Sequence, residues 1–315
     1  MVTTETIISG VGGYLPEKVV TNDDLAKIVD TSDEWIRSRS GIAQRHFAAD
    51  DQATSDLAYE AAWKALDQAG LKPKDIGLII VATVTPDRTF PSTAVYVQQK
   101  LGVPPCAAFD ISAACAGFMY AMNLAHSAIA TGQVKHALII GAEKLSCFLD
   151  WNDRGTCVLF GDGAGAIVLS AGAPRTPASP PRGVLATYLS ADGRLAEHLY
   201  ADGGPSTTAT VGKVRMNGKE VFRNAVEEIS GAVFEVTERA NVNRHEIDWF
   251  VPHQANIRII QSCAKKLELS EDKIIVTIDK HANTSSASIP LALDAGIRDG
   301  RIKRDELLVF AALGG

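Results

Sequence analysis

The chain has 315 residues, 46% hydrophobic and 22% charged, with a net charge of −6. That balance fits about two folded domains or one duplicated domain, and it excludes a disordered chain. It also argues against a broad nucleic-acid face, and no apolar run approaches the ~18–20 residues of a membrane helix. The opening MVTTETIISGVGGYLPEK has no basic stretch ahead of an apolar core, so no secretory signal is expected and a cytoplasmic location is. The five cysteines, at 106, 115, 147, 157 and 263, form no C-x-x-C pair, and no histidine pair has zinc-ligand spacing. Free thiols and no metal are the expectation, each cysteine being by default a small buried hydrophobe.

In chain order, Leu78–Val84 (LIIVATV) predicts a buried strand. Ala107–Ile111 predicts another, followed by a helix with Phe118, Met122, Ala125 and Ile129 on one face. Ala137–Gly141 is a third strand, and Cys157–Leu169 a fourth, broken by glycines. Gly172–Gly183 (GAPRTPASPPRG) holds four of the 13 prolines and reads as a linker. It divides the chain into halves of 1–172 and 173–315. The second half repeats the order: Ile247–Pro252 as a strand, Lys273–Ile278 as a strand before HANTSSAS and an apolar helix, and Leu307–Ala312 as a strand. The alternation indicates a duplicated α/β protein. By this repeat the second half stops where the first half begins its glycine-rich last strand, so the chain reads as about a dozen residues short of a final strand.

Chemistry concentrates after three of these strands. In Asp110–Phe118 (DISAACAGF) a strand leads into small residues and a helix start that holds Cys115. Unpaired N–H groups and the positive helix end would lower the thiol pKa there, while a buried core cysteine is the alternative. The other four cysteines lack this setting. His253 lies in VPHQAN, and Asn283 in HANTSS. A locally satisfied histidine and a turn or cap asparagine are the plain alternatives. Ligands gather beyond the carboxyl ends of strands in α/β sheets. A thiolate with two hydrogen-bond donors suits acyl transfer, and the absence of an obvious carboxylate partner for the histidine weakens a hydrolytic triad.

With these residues in hand, the sequence resembles the thiolase superfamily, and within it the β-ketoacyl-acyl-carrier-protein synthase III family. The matching segments are TSDEWIRSRSGI (31–42), FPSTA (90–94), AACAGF (113–118), DRGT (153–156), FGDGAGA (160–166), MNGKEVF (216–222), VPHQAN (251–256) and HANTSSAS (281–288). The resemblance implies a five-layered αβαβα thiolase fold and a homodimer. It implies decarboxylative Claisen condensation of a short acyl-CoA, acetyl-CoA by preference, with malonyl-acyl carrier protein (ACP), initiating type II fatty-acid synthesis. CoA thioesters would be substrates, and no cofactor is implied.

Residue by residue, the resemblance makes Cys115 the acyl-accepting nucleophile, and His253 and Asn283 the donors to the malonyl thioester and its enolate. The oxyanion hole would be formed by the amides of Cys115 and Gly315. Trp35 and Arg154 would sandwich the CoA adenine, with Arg39 near its phosphates. Phe90 from a partner subunit, together with Leu313, would shape the acyl pocket. Arg258, Lys265 and Lys266 would dock the acidic carrier, a charge cluster otherwise read as solvated surface.

Two positions depart from the family pattern: Leu313 stands where an aromatic residue is usual, and Ala282 where glycine is common before Asn283. The competing readings are a condensing enzyme of secondary metabolism and a C-terminally truncated, inactive homologue that binds ligand or assembles. A biosynthetic thiolase expects a second catalytic cysteine late in the chain, and none follows Cys263. A papain-like hydrolase shares the Cys, His, Asn order but not the α/β pattern.

Overall fold

The structure, a computed structural model, describes residues 4–174 and 182–314. Its strands are β1 (Thr4–Tyr14), β2 (Lys18–Thr21), β3 (Gln44–Phe47), β4 (Leu78–Ala82), β5 (Ala107–Ile111), β6 (His136–Glu143), β7 (Gly163–Pro174), β8 (Leu199–Ala201), β9 (Val214–Met216), β10 (Trp249–Pro252) and β11 (Leu308–Ala311). Its α-helices are α1 (Asn22–Leu25), α2 (Asp33–Ser40), α3 (Thr54–Ala69), α4 (Thr93–Leu101), α5 (Gly117–Ala130), α6 (Gly218–Ala240), α7 (Ile257–Leu267), α8 (Ile278–His281) and α9 (Ser288–Arg298).

The main sheet has the order β1-β7-β6-β4-β5, with β4 parallel to both β5 and β6 and β7 antiparallel to its neighbours. Every residue of β4 is buried, as expected of a strand covered on both faces. One face packs on α3 and α4 through Leu57, Ala61, Ala65 and Val97. The other packs on α5 and α9 through Phe118, Met122, Ile289 and Leu293. That same middle layer meets Val251 of β10, and β10 and β11 pack in turn on α6 and α7. The result is five layers, helix, sheet, helix, sheet, helix, which is the expected thiolase architecture.

Small residues let the layers touch backbone to backbone. A Cβ on Gly141 of β6 would lie 2.2 Å from the Ser286 carbonyl oxygen, so only glycine lets the segment before α9 rest on the sheet.

Two sequence expectations are corrected here. Lys273–Ile278 is not a strand: residues 271–273 form a 3-10 turn, α8 begins at Ile278, and only an isolated parallel bridge joins Ile274 to Phe250. The buried Gln254 side chain replaces a strand partner, donating to the Ile275 carbonyl at 3.0 Å and accepting from the Thr277 N–H at 2.9 Å. Likewise Cys157–Asp162 is irregular and the strand starts at Gly163, because Phe160 instead bridges to Asn283. Of the expected linker, residues 175–181 lie outside the described residues, and Gly172–Pro174 still belongs to β7.

Candidate active site

Cys115 sits in a 3-10 turn, Ala114–Ala116, between β5 and α5. The turn is strained: Ala114 has φ of 42°, a left-handed value that a Cβ disfavours. The thiol is buried, and burial pushes it up to about 11, a Ser285 hydrogen bond opposing the rise. The lowered pKa expected from the helix start is therefore not realised, because desolvation outweighs the dipole. Gly314 packs on this turn so closely that a Cβ there would lie 3.2 Å from the Cys115 amide nitrogen and 2.5 Å from the Ala113 carbonyl oxygen. Gly315 lies outside the described residues.

His253 follows β10 and is buried, its amide donating to the Ala311 carbonyl at 2.9 Å. Its Nδ1 lies 2.6 Å from Ser288 Oγ, and that hydroxyl also accepts from the Gln254 N–H at 3.3 Å. Burial lowers the imidazole to about 4, so it is neutral at pH 7. Among the described residues no carboxylate is bonded to its side chain, in line with the sequence reading; its partner is a hydroxyl.

Asn283 is fixed at both backbone groups, its N–H to the Leu159 carbonyl and its carbonyl to the Gly161 N–H, each at 3.0 Å. Its Oδ1 accepts from the Ser285 N–H at 2.8 Å, which turns the Nδ2 donor away from that contact. The residues beside it are strained as well: Ala282 has φ 57° and ψ −161°, a region almost restricted to glycine, and Ser285 has φ 50°. Ala282 thus takes a conformation that glycine would adopt without strain.

Cys115, His253, Asn283 and Leu313 all line one cavity of about 1750 Å³, together with Met216 and Phe222. The remaining expected site residues lie apart from it. Trp35 on α2 is flanked by two guanidinium groups, Arg39 at 4.5 Å and Arg154 at 5.1 Å from the ring centroid. Arg154 is held by the Asp30 carbonyl at 2.8 Å. Asn256 joins this cluster to the cavity: it lines the cavity, caps α7 and donates from Nδ2 to the Arg39 carbonyl at 2.9 Å. Phe90 is 82% exposed and does not line the cavity within one chain. On α7, Arg258 lies over Phe222 at 5.6 Å, Lys265 is exposed and Lys266 pairs with Glu227. Of the four cysteines read as buried, Cys157 and Cys263 are, whereas Cys106 is half-buried and Cys147 exposed.

Three side chains next to the site escaped the sequence reading: Glu143, Ser285 and Ser288. The signals for them were a lone acid ending the apolar run ALIIGAE and the density of hydroxyls in HANTSSAS.

The description "3-oxoacyl-[acyl-carrier-protein] synthase III" belongs to the family model that matches residues 109–193, and its C-terminal counterpart matches residues 237–315. The chain is 56% identical to the β-ketoacyl-[acyl-carrier-protein] synthase III of Sphingopyxis alaskensis, over 99% of this chain and 96% of that protein. It is 53% identical to the Bradyrhizobium diazoefficiens protein of the same name, over 100% and 97%. Among solved structures, the 3-oxoacyl-[acyl-carrier-protein] synthase III of Aquifex aeolicus superposes with a TM-score of 0.91 at 48% identity, over 98% of this chain and 96% of that one. The priming β-ketosynthase of the R1128 polyketide pathway superposes with a TM-score of 0.90 at 33% identity, over 98% and 92%.

Proposed function

The chain belongs to the 3-oxoacyl-[acyl-carrier-protein] synthase III family, and from that premise we propose that it condenses a short acyl-CoA with malonyl-ACP, with acetyl-CoA as the preferred primer. The reaction would initiate type II fatty-acid synthesis in the cytoplasm and use no cofactor. One observation carries the site assignment: a thiol, a neutral imidazole and an oriented carboxamide, delivered by three separate segments, line one cavity.

In the first step Cys115 attacks the acyl thioester and CoA leaves. Because the thiol is held protonated by burial, its proton must depart as the sulfur attacks, and the departing CoA thiolate can accept it. The Cys115 amide and a terminal glycine amide, Gly315 by family pattern, would bind the oxyanion. In the second step the malonyl thioester carbonyl lies against His253 and Asn283. With Nδ1 turned to the Ser288 hydroxyl, Nε2 carries the ring proton as a neutral donor, and Asn283 Nδ2 is the second donor. Loss of CO₂ leaves an enolate whose oxygen these two donors stabilise, and its carbon attacks the acyl-cysteine carbonyl. Cys115 leaves as the thiolate and takes one proton from solvent to restore the thiol, and β-ketoacyl-ACP is released. Decarboxylation makes the step irreversible and removes any need for a strong base.

Trp35, Arg39 and Arg154 form the proposed CoA nucleotide site, with Arg154 swinging off the indole to admit adenine. Arg258, Lys265 and Lys266 form the proposed carrier dock. The two halves, 1–172 and 173–315, contribute the nucleophile and the two donors respectively. Among the described residues β5 forms an edge of the main sheet, and Phe109, Val95 and Phe90 are exposed. A second copy paired there would cover them and bring Phe90 to the partner's acyl pocket alongside Leu313.

The test is turnover with acetyl-CoA and malonyl-ACP, malonyl-CoA being supplied in parallel. β-Ketoacyl-ACP formation with clear preference for malonyl-ACP is expected. No condensation with either extender overturns the reading.

A further inference from the structure

Glu143 ends β6, is fully buried and belongs to no step above. Five groups from two segments surround its carboxyl. Oε2 faces the Val84 N–H at 3.1 Å, Thr85 Oγ1 at 2.9 Å and Thr83 Oγ1 at 3.2 Å. Oε1 faces Ser286 Oγ at 3.0 Å and Ser285 Oγ at 3.2 Å. The first segment leads from β4 towards the Phe90 loop, and the second presents Asn283.

Counting protons decides the state of this carboxyl. Ser286 Oγ has one hydrogen and already donates it to the Ala82 carbonyl at 2.8 Å. Its 3.0 Å contact with Oε1 is then a hydrogen bond only if Oε1 carries the proton. Ser285 has the same single hydrogen to share between Glu143 and Cys115. An acid proton on Oε1 satisfies Ser286 and releases the Ser285 hydroxyl towards the sulfur.

We propose that Glu143 is a neutral carboxylic acid at this site and a positioning residue for the condensing step: by donating from Oε1 to Ser286 it fixes the turn whose Ser285 amide orients Asn283. This rests on the condensing reading given above. Burial supports it independently, raising the carboxyl to about 7. Once ionised it would raise the thiols of Cys115 and Cys147, and Asp162 also acts on Cys147. Neighbouring elements add few free charges. β4 and β7 have none, Asp294 of α9 pairs with Arg298, Asp56 of α3 pairs with Lys100, and Lys64 of α3 donates to the Gly13 carbonyl. Glu60 and Asp67 are the other acids of α3, His126 of α5 contacts Thr6, and Lys144 turns its ammonium to the Ala49 and Gln52 carbonyls.

Ionisation at higher pH would draw the serine hydroxyls to the carboxylate and add negative charge beside Cys115. The test is the single-turnover reaction of acetylated enzyme with malonyl-ACP over about pH 6–8.5, in wild type, Glu143→Gln and Glu143→Ala. Gln is likewise neutral and pairs a carbonyl acceptor with an NH2 donor group, one of whose two hydrogens can replace the acid proton. Wild type should slow as pH rises through about 7, and Glu143→Gln should stay within about threefold of the low-pH rate with no such inflection. Glu143→Ala should lower kcat at least about tenfold while KM for malonyl-ACP changes less than about twofold. An inflection retained in Glu143→Gln, or a fully active Glu143→Ala, overturns the proposal; if Glu143→Ala does not fold, the Gln variant decides. The infrared difference spectrum of wild type minus Glu143→Gln at about pH 6 reads the proton without activity: a carboxylic-acid carbonyl band is expected, and a carboxylate band alone refutes it. Wild type that fails to acetylate would instead refute the condensing reading, and the infrared result would still stand.

Discussion

Substituting Gly141 by alanine separates the two chemical steps. The new methyl would sit 2.2 Å from the Ser286 carbonyl oxygen and 2.6 Å from its carbonyl carbon, both backbone atoms. Ordinary contact begins near 3.4 Å, so the Ser285–Ala287 turn must retreat by about 1.2 Å or β6 must bend. The retreat passes directly to the Ser285 N–H that holds Asn283 Oδ1 at 2.8 Å, and Asn283 loses its aim. A misplacement of about 1 Å at a reacting group can cost on the order of 100-fold, and overpacking a buried backbone contact costs about 1–3 kcal/mol. Gly141→Ala should therefore fold with a lower melting temperature, still accept acetyl on Cys115, and condense with malonyl-ACP on the order of 100-fold more slowly. Stopped-flow condensation of the acetylated variant, beside thermal denaturation, measures both. An unchanged melting temperature with a full condensation rate would refute the packing argument.

Ser288→Ala removes the hydroxyl 2.6 Å from His253 Nδ1, and should slow malonyl decarboxylation by tenfold or more, order of magnitude, while acetylation of Cys115 persists. Arg154→Ala should raise KM for acetyl-CoA by about three- to tenfold with kcat unchanged, as expected for a stacking contact made equally in ground and transition states. His253 and His281 are both lowered by burial to about 4, below their unfolded value near 6.5. The unfolded chain takes up these protons first, so stability is fully present above about pH 6.5 and falls as pH drops to about 4, by on the order of 3 kcal/mol for each histidine. Denaturant titrations across that window should show His281→Gln losing less stability than wild type. Phe109→Lys on the β5 edge should turn a dimer into a monomer in sedimentation, with loss of turnover if Phe90 acts across that edge.

The sequence patterns that proved readable were those in which local periodicity and burial agree. β4 is a continuous apolar run, and Phe118, Met122, Ala125 and Ile129 are all buried on α5 at the spacing a helix demands. Cys115 and His253 follow β5 and β10, and sheet geometry gathers strand ends at one cavity; Asn283 reaches the same cavity after α8, held instead by the Leu159 and Gly161 backbone. What failed depended on distant partners. Lys273–Ile278 has strand composition, yet the Gln254 side chain takes the groups that a neighbouring strand would have bonded. The thiol shift was misjudged because burial comes from other layers, invisible in DISAACAGF itself. The direct contact of Arg154 with Trp35 was not legible either, because it depends on a tether to Asp30 from a distant segment.

The central claim is that Cys115 carries the acyl group between the two substrates. Mass spectrometry of the protein after incubation with acetyl-CoA alone tests it most directly. One acetyl group should appear on the peptide containing Cys115, vanish on addition of malonyl-ACP, and be absent from Cys115→Ala. An unmodified Cys115, or an acetyl group that malonyl-ACP does not discharge, would contradict the account.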